Sequence, residues 1–148
     1  MSEIAEREPP RKSAAVVIEL LGEPKGKGRP RFVRATGRAY TPQKTASYEA
    51  CLQHEAALAM VNRPRIEGAV RVQVSAYFAV PQSWSAKQRD AALSGVIRPT
   101  KRPDWENVAK MLDALNGVVW RDDAQIVSGL IEKYFSDRPR LSVQVVPI

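Results

Sequence analysis

Cysteine and long hydrophobic runs are scarce in this 148-residue chain. Its single cysteine, Cys51, excludes an internal disulfide and is typical of a protein of the reducing cytoplasm. The longest apolar run, residues 56–61, is far shorter than the roughly 20 residues that a membrane-spanning helix needs. The N-terminus carries acidic residues and lacks the pattern of a secretory signal. We therefore expect a cytoplasmic protein without a membrane partner.

The overall composition is that of a folded protein. Apolar residues make up 44% of the chain and charged residues 26%, which excludes wholesale disorder. The length suits one domain of common size. We expect residues 1–13 to form a flexible tail and residues 14–148 to form a single domain.

The charges are unevenly distributed. The chain has a net charge of +7, and residues 25–38 contain six basic residues and no acidic one. Residues 104–123, in contrast, contain five of the sixteen acidic residues. Basic segments around an acidic cluster are the layout that a metal-dependent nuclease needs, because only cations reconcile carboxylates with a polyanionic substrate.

Hydrophobic periodicity predicts an α+β fold. Residues 70–80 alternate between apolar and polar side chains, which is typical of a half-buried strand. Residues 126–135 and 141–146 are predicted as two strands of a hairpin, joined by the turn at 136–139. The remaining predicted elements are a strand at 14–21, a hairpin near the end of 25–40, and helices at 41–61, 85–93 and 104–115.

The predicted helix at 104–115 carries the acidic cluster. At 100° per residue, Trp105, Val108, Met111, Leu112 and Leu115 fall on one side and predict a buried stripe. The polar residues of the segment lie opposite, with Asp104 at the helix start: Glu106, Asn107, Lys110 and Asp113. Carboxylate oxygens suit Mg²⁺ or Mn²⁺, and Asp122 and Asp123 could add further carboxylates from the following loop.

A purely structural interpretation of the same residues is also open. Asp104 is a good N-cap residue, with Asn107 at the capping-box position. Glu106 and Lys110 have the spacing of a solvated ion pair on a helix. Asp122 and Asp123 could form a plain turn, so spacing alone does not decide between a metal site and a polar surface.

The order of the motifs resembles the RusA family of Holliday junction resolvases, especially its phage-type members. The resembling block is residues 102–107 (RPDWEN), Lys110, 113–117 (DALNG) and 122–126 (DDAQI), preceded by 24–31 (PKGKGRPR). The resemblance extends from about residue 16 to the C-terminus, and its combined motifs are specific. It implies a mixed β-sheet with helices packed on it.

The resemblance implies a Mg²⁺-dependent crossover junction endodeoxyribonuclease, with Mn²⁺ as an alternative metal. Such an enzyme is a homodimer that resolves four-way DNA junctions in recombination and repair. By matched position, Asp104, Glu106 and Asp123 are the implied metal ligands, Lys110 is a further catalytic residue, and Asn107 supports a ligand. Glu106 departs from the family's aspartate and reaches one methylene further, which affects metal geometry.

Branched DNA is the expected partner, recognised by shape rather than by sequence. Phe32 and Tyr40 could stack on unpaired bases. The alternative is that the basic stretch is only a solvated loop. The predicted phosphate-contacting residues are Lys25, Lys27, Arg29, Arg31, Arg34, Lys101 and Arg102.

Two residues outside these motifs receive simpler predictions. We interpret His54 as structural, since it stands among polar neighbours on the first predicted helix. Trp120, expected to be exposed, and the terminal strands are candidates for the dimer surface. Two functions compete with a junction resolvase: a non-catalytic branched-DNA-binding protein, and a less selective flap or branch nuclease on the same scaffold.

Overall fold

A computed structural model describes residues 15–28, 31–33, 35–40 and 43–148. The predicted tail at 1–13 lies entirely outside this range, as do residues 41–42 at the start of the first predicted helix. In chain order, the described residues form β1 (Val16–Leu21), β2 (Arg31–Val33), β3 (Arg38–Tyr40), α1 (Gln43–Ala59), β4 (Val70–Phe78), α2 (Ala86–Leu93), α3 (Trp105–Lys110), a 3₁₀ helix (Met111–Leu115), a short 3₁₀ helix (Asp123–Gln125), β5 (Ile126–Phe135) and β6 (Arg140–Pro147).

Within the described residues, the alternating segment becomes an inner strand of a four-stranded mixed sheet. The strand order is β1-β6-β4-β5. β4 runs parallel to β5 and antiparallel to β6, and β6 runs antiparallel to β1. The apolar residues of β4, from Val70 to Phe78, are buried on one face. The predicted α+β fold with a mixed sheet is confirmed.

The predicted hairpin of β5 and β6 is wrong, because β4 lies between these two strands. A strand two positions away is about 9–10 Å distant, which the four turn residues 136–139 can span in an extended conformation. The Ser136 N–H donates to the Phe78 carbonyl at 2.9 Å and ties this crossing to the end of β4. β4 therefore gains a neighbour on both edges and buries its apolar face completely.

The helices cover the apolar face of the sheet, and their packing overturns one expectation about tryptophan. Trp120 is 0% exposed, and its indole N–H donates to Asn116 Oδ1 at 2.7 Å. It therefore offers no surface to a second subunit in this structure. His54 is exposed on α1. None of the helices in the described ranges is long and apolar enough to span a bilayer.

The helix predicted at 104–115 changes its winding partway. It is α-helical through Lys110 and continues as a 3₁₀ helix from Met111 to Leu115. Val108, Met111 and Leu115 are buried as predicted, but Trp105 is 55% exposed. Its indole donates instead to the Ile131 carbonyl of β5 at 3.1 Å, so the ring lies over the strand edge rather than in the core.

Candidate active site

Asp104 begins α3 without capping it. Its backbone is extended, with φ −68° and ψ 154°, yet its side chain makes no cap hydrogen bond. The chain reaches it through a cis Arg102–Pro103 peptide bond. The capping role that the sequence left open is therefore not used, although Asp104 occupies the N-cap position. Lys101 and Arg102, two predicted DNA contacts, are exposed immediately before it.

Lys133 of β5 binds the backbone immediately before Asp104. Its ammonium group donates to the carbonyls of Lys101 at 2.6 Å and Pro103 at 3.0 Å. Burial lowers the pKa of Lys133, while the negative charge of Asp104 acts in the opposite direction. Sequence reasoning missed this residue. The sequence did carry a signal, because Lys133 alternates with the apolar residues Ile131 and Phe135 on the predicted strand. In the structure it is in register with the fully buried Ala76 of β4.

Glu106 and Lys110 form the ion pair that their spacing allows. Their charged atoms lie 3.2 Å apart, and the Glu106 side chain is 75% exposed. Asn107 lies on the same segment, and its backbone carbonyl accepts a hydrogen bond from the Lys27 N–H at 2.9 Å. The predicted ligand and the predicted catalytic lysine are therefore paired with each other on the surface of α3.

Asp123 stands in a turn that several hydrogen bonds hold in place. The Ala124 N–H donates to Asp122 Oδ1 at 2.8 Å, which caps the short 3₁₀ helix. Gln125 accepts hydrogen bonds from the Arg121 and Asp122 N–H groups, and its amide donates to backbone carbonyls of residues 66 and 68. The turn is thus fastened to the loop before β4, and Asp123 is presented from it.

Asp113 is the second carboxyl at this end of the site. A hydrogen bond with Asp113, together with partial burial and the neighbouring Asp122, raises the pKa of Asp123 to about 6. The pKa of Asp122 is lowered, chiefly by the hydrogen bond that its carboxylate accepts from the Ala124 N–H. The helical periodicity placed Asp113 among the polar residues opposite the apolar stripe. Its proximity to Asp123 was not predicted, because it depends on the tertiary position of the turn.

The basic segment crosses directly over α3. A Cβ atom on Gly26 would lie 2.7 Å from Pro103 Cβ and 2.8 Å from Asn107 Cβ, so the backbones approach too closely for another residue. Lys27 reaches past this crossing to Glu49 at 3.0 Å and Asp113 at 3.5 Å. The hydrogen bond with Glu49 is the main reason that the pKa of Lys27 is raised.

Other predicted DNA contacts are only partly described. Lys25 is exposed. Arg29 and Arg34 lie outside the described residues. For Arg31, Phe32 and Tyr40 only the backbone is described, in the antiparallel pair β2–β3 that confirms the expected hairpin.

Asp104 and Asp123, two of the predicted metal ligands, lie toward opposite ends of the acidic helix. Asp104 lies near Lys133 toward the end of β5, whereas Asp123 precedes the start of that strand. From Asp104 to Asp113, beside Asp123, the helix axis extends about 15 Å at 1.5–2.0 Å per residue. Between the two ends, Trp105, Leu112 and Asp123 help to line a cleft of about 380 Å³. Among the described residues, no three acidic, histidine or cysteine side chains are close enough to hold a metal ion.

Comparison with known proteins identifies the family. Residues 22–146 match the family model of the endodeoxyribonuclease RusA. The chain is also 35% identical over 137 residues to the uncharacterized protein YqaN of Bacillus subtilis (strain 168). That similarity covers 88% of this chain and 94% of the relative. This chain therefore belongs to the RusA family of endodeoxyribonucleases.

Proposed function

We propose that this protein is a divalent-metal-dependent endonuclease that resolves Holliday junctions by paired phosphodiester hydrolysis. Family membership supports a DNA-cleaving enzyme. The observation that carries the proposal is the Asp104 carboxylate, which stands at the start of α3 without capping it, beside exposed Lys101 and Arg102. A carboxylate that its own helix does not use, next to cations that can hold phosphates, suits hydrolysis of a DNA backbone.

The donor set fits Mg²⁺ or Mn²⁺, because both metals prefer carboxylate oxygens. The raised pKa of Asp123 supports the same assignment, since crowded carboxyl groups gain from a nearby cation. Asp104, Glu106 and Asp123 would hold the ion, which supplies water activation and charge neutralisation when bound.

The remaining residues have roles of their own. Lys110 would exchange its ion pair with Glu106 for the scissile phosphate. Asn107 supports the ligand segment. Lys25, Lys101, Arg102 and the arginines at positions 29, 31 and 34 would contact the phosphates of the junction arms. The exposed free thiol of Cys51 is compatible with the reducing cytoplasm, which we keep as the proposed location.

A homodimer supplies two cuts related by symmetry, and the β5 edge is the surface that we propose for it. β5 is an outer strand of the described sheet, and exposed apolar side chains lie along it, among them Val127 at 62% and Leu130 at 50%. Unpaired strand edges of this kind readily accept another strand. Toward its C-terminal end, side chains already cover this edge, because Trp105 and Arg98 donate to the carbonyls of Ile131 and Lys133. The stretch at 126–130 is the part we expect to pair.

Antiparallel pairing of two β5 strands would also match opposite charges. The start of β5 follows the acidic residues Asp122 and Asp123. Its far end is basic, because it contains Lys133, which binds the segment of Lys101 and Arg102. A two-fold axis through the middle of the stretch at 126–130 would bring the partner subunit's Asp123 toward Asp104. Each ligand set would then be completed by the second copy, which accounts for the separation of the ligands in one chain.

The direct test is a cleavage assay on a four-way junction with Mg²⁺ or Mn²⁺. Duplex, flap and single-stranded DNA serve as substrate controls, and Asp104→Asn serves as the matched protein control. We expect paired cuts in the junction by the wild type alone. Equal cutting of flaps would favour the less selective nuclease, and tight binding without metal-dependent cutting would favour the non-catalytic binding protein.

A further inference from the structure

We propose that Lys133 is a positioning residue that fixes the direction of the Asp104 carboxylate. This inference rests on the proposed function, because it assigns Asp104 to the reaction. Lys133 is not assigned by the motif block, and it lies on a different element of the fold from the acidic helix. Its role would be to hold the ligand segment rather than to touch the DNA.

The contacts of Lys133 converge on the residues just before Asp104. Its Nζ donates to the carbonyls of Lys101 and Pro103, one on each side of Arg102. Two bonds from one ammonium group fix the distance between these carbonyls and therefore the path of the turn. The Pro103 carbonyl belongs to the peptide bond that carries the Asp104 nitrogen, so its orientation sets how Asp104 enters α3.

The chemistry of this position favours a cation rather than any side chain of similar size. The backbone oxygens of Lys101 and Pro103 carry partial negative charges, and the nearby Asp104 carboxylate carries a full one. Lys133 offsets them at a position in register with a buried alanine, and its ammonium also lies 5.5 Å from the centre of the Phe78 ring. Because burial penalises a charged lysine, an apolar residue would suffice if the position only filled space.

Lys133→Met tests the proposal, with Lys133→Arg as the conservative variant and Lys87→Met on α2 as the matched control. We expect Lys133→Met to lower kcat on a four-way junction about 10- to 100-fold, the range typical of residues that orient metal ligands. Junction affinity without metal should change less than about twofold. Lys133→Arg should recover most of the lost rate because it keeps the charge and the donors, and Lys87→Met should match the wild type.

Amide hydrogen exchange gives a readout that does not depend on cleavage. In Lys133→Met, exchange should accelerate at residues 108–110, the first amides of α3 that donate within the helix, while β4 keeps wild-type protection, and Lys133→Arg should restore it. Unchanged exchange there and an unchanged kcat would overturn the proposal. A parallel loss of kcat, junction affinity and protection throughout the sheet would also overturn it, since that is the result of a purely structural lysine. If wild-type protein does not cleave junctions, the proposed function fails, while exchange at 108–110 still tests whether Lys133 holds the start of α3.

Discussion

The two ends of the acidic segment, at Asp104 and at Asp123, have opposite electrostatic surroundings. At the Asp104 end, one carboxylate stands among cations, with Lys101 and Arg102 exposed and Lys133 bonded to the turn. At the Asp123 end, carboxyl groups crowd together, and the pKa of Asp123 is raised to about 6 as a result. The first end is suited to approach a phosphate, and the second, where Lys27 already offsets part of the charge, would gain from an added cation. We therefore propose that each end supplies half of the hydrolytic site.

One lysine from another part of the chain is bound at each end, and the two lysines are held differently. Lys133 donates to neutral carbonyls, and burial lowers its pKa. Lys27 lies between the carboxylates of Glu49 and Asp113, and its pKa is raised. Lys27 stabilises an anionic cluster, whereas Lys133 shapes a turn. We expect substitutions at the two ends to separate catalysis from DNA binding and stability.

The largest effect is expected from removing one carboxylate at each end. Asp104→Asn and Asp123→Asn should each abolish junction cleavage while binding stays intact or becomes tighter, because less negative charge faces the DNA. If the two ends meet across a dimer, mixing the two variants creates one intact site per heterodimer. The mixture should then nick junctions, as measured by strand-specific product analysis.

The control for mixing is a double variant carrying both changes, which cannot contribute an intact site. Mixed with either single variant it should leave junctions uncut. Complete inactivity of the Asp104→Asn and Asp123→Asn mixture, with subunit exchange verified by mass spectrometry, would place both ends in one chain's site.

Val127→Glu with Leu130→Glu should turn the dimer into a monomer in light scattering if β5 pairs as proposed.

Glu106 gives the next largest effect and tests whether its surface ion pair is its whole role. If Glu106 is a ligand, Glu106→Gln should remove cleavage nearly as completely as Asp104→Asn does. Loss of the pair with Lys110 alone would cost only about 0.3–0.5 kcal/mol of unfolding free energy and leave the rate unchanged. Glu106→Asp should stay active and shift the preference between Mg²⁺ and Mn²⁺, because Mg²⁺ tolerates distorted octahedra poorly. Cleavage rates across a titration of each metal distinguish these outcomes.

The sequence predicted the positions of the helices and strands better than it predicted which strands lie side by side. Alternation over 70–80 identified β4, but nothing local showed that β4 would separate β5 from β6. Strand order depends on which apolar faces can be buried together, and a four-residue turn is compatible with either a hairpin or a crossing. Trp105 and Trp120 exchanged roles for the same reason, since winding angles do not show where the sheet edge lies.

The candidate site was predicted as a set of residue types, and its connections came from tertiary structure. Asp104, Glu106 and Lys110 could be named from spacing and resemblance. The contacts of Asp113 and Lys133 could not be predicted, because their partners come from separate segments of the chain. Of these two residues, Lys133 carried a usable signal, because a lysine stood at an alternating position between two apolar residues of a predicted strand.

Gly26→Ala tests the contact that joins the basic segment to the Asp104 end. The added Cβ would clash with Pro103 and Asn107, so either the segment or α3 must shift. We expect a loss of about 1–3 kcal/mol in unfolding free energy, typical of overpacking. Gly28→Ala is the matched control, because a Cβ there meets no atom of the described structure within 4 Å. Equal stability of the two variants in chemical denaturation would show that the crossing is loose.

Lys25 and Lys27 separate phosphate contact from internal pairing within the basic segment. Lys25 is exposed, so Lys25→Gln should reduce the logarithmic salt dependence of junction affinity by about 0.9, the value for one phosphate contact on duplex DNA. Lys27 is engaged by Glu49 and Asp113, so Lys27→Gln should lower thermal stability and leave the salt slope nearly unchanged. Affinity measured at several salt concentrations checks both. The opposite pattern would mean that Lys27 leaves its carboxylates to bind DNA.

The smallest effect concerns the shared proton at the Asp123 end. Asp113→Asn should bring the pKa of Asp123 back toward its ordinary value, because the hydrogen bond with Asp113 is the largest cause of the shift. Asp122→Asn should lower it less, which makes that variant the matched control. A carboxyl with a raised folded-state pKa binds its proton more tightly in the folded chain, so stability falls as pH rises from about 4 to 6. Asp113→Asn should flatten that fall in metal-free protein. Carbon-13 titration of the Asp123 carboxyl measures the pKa directly, and a larger decrease in Asp122→Asn than in Asp113→Asn would contradict the assigned pair.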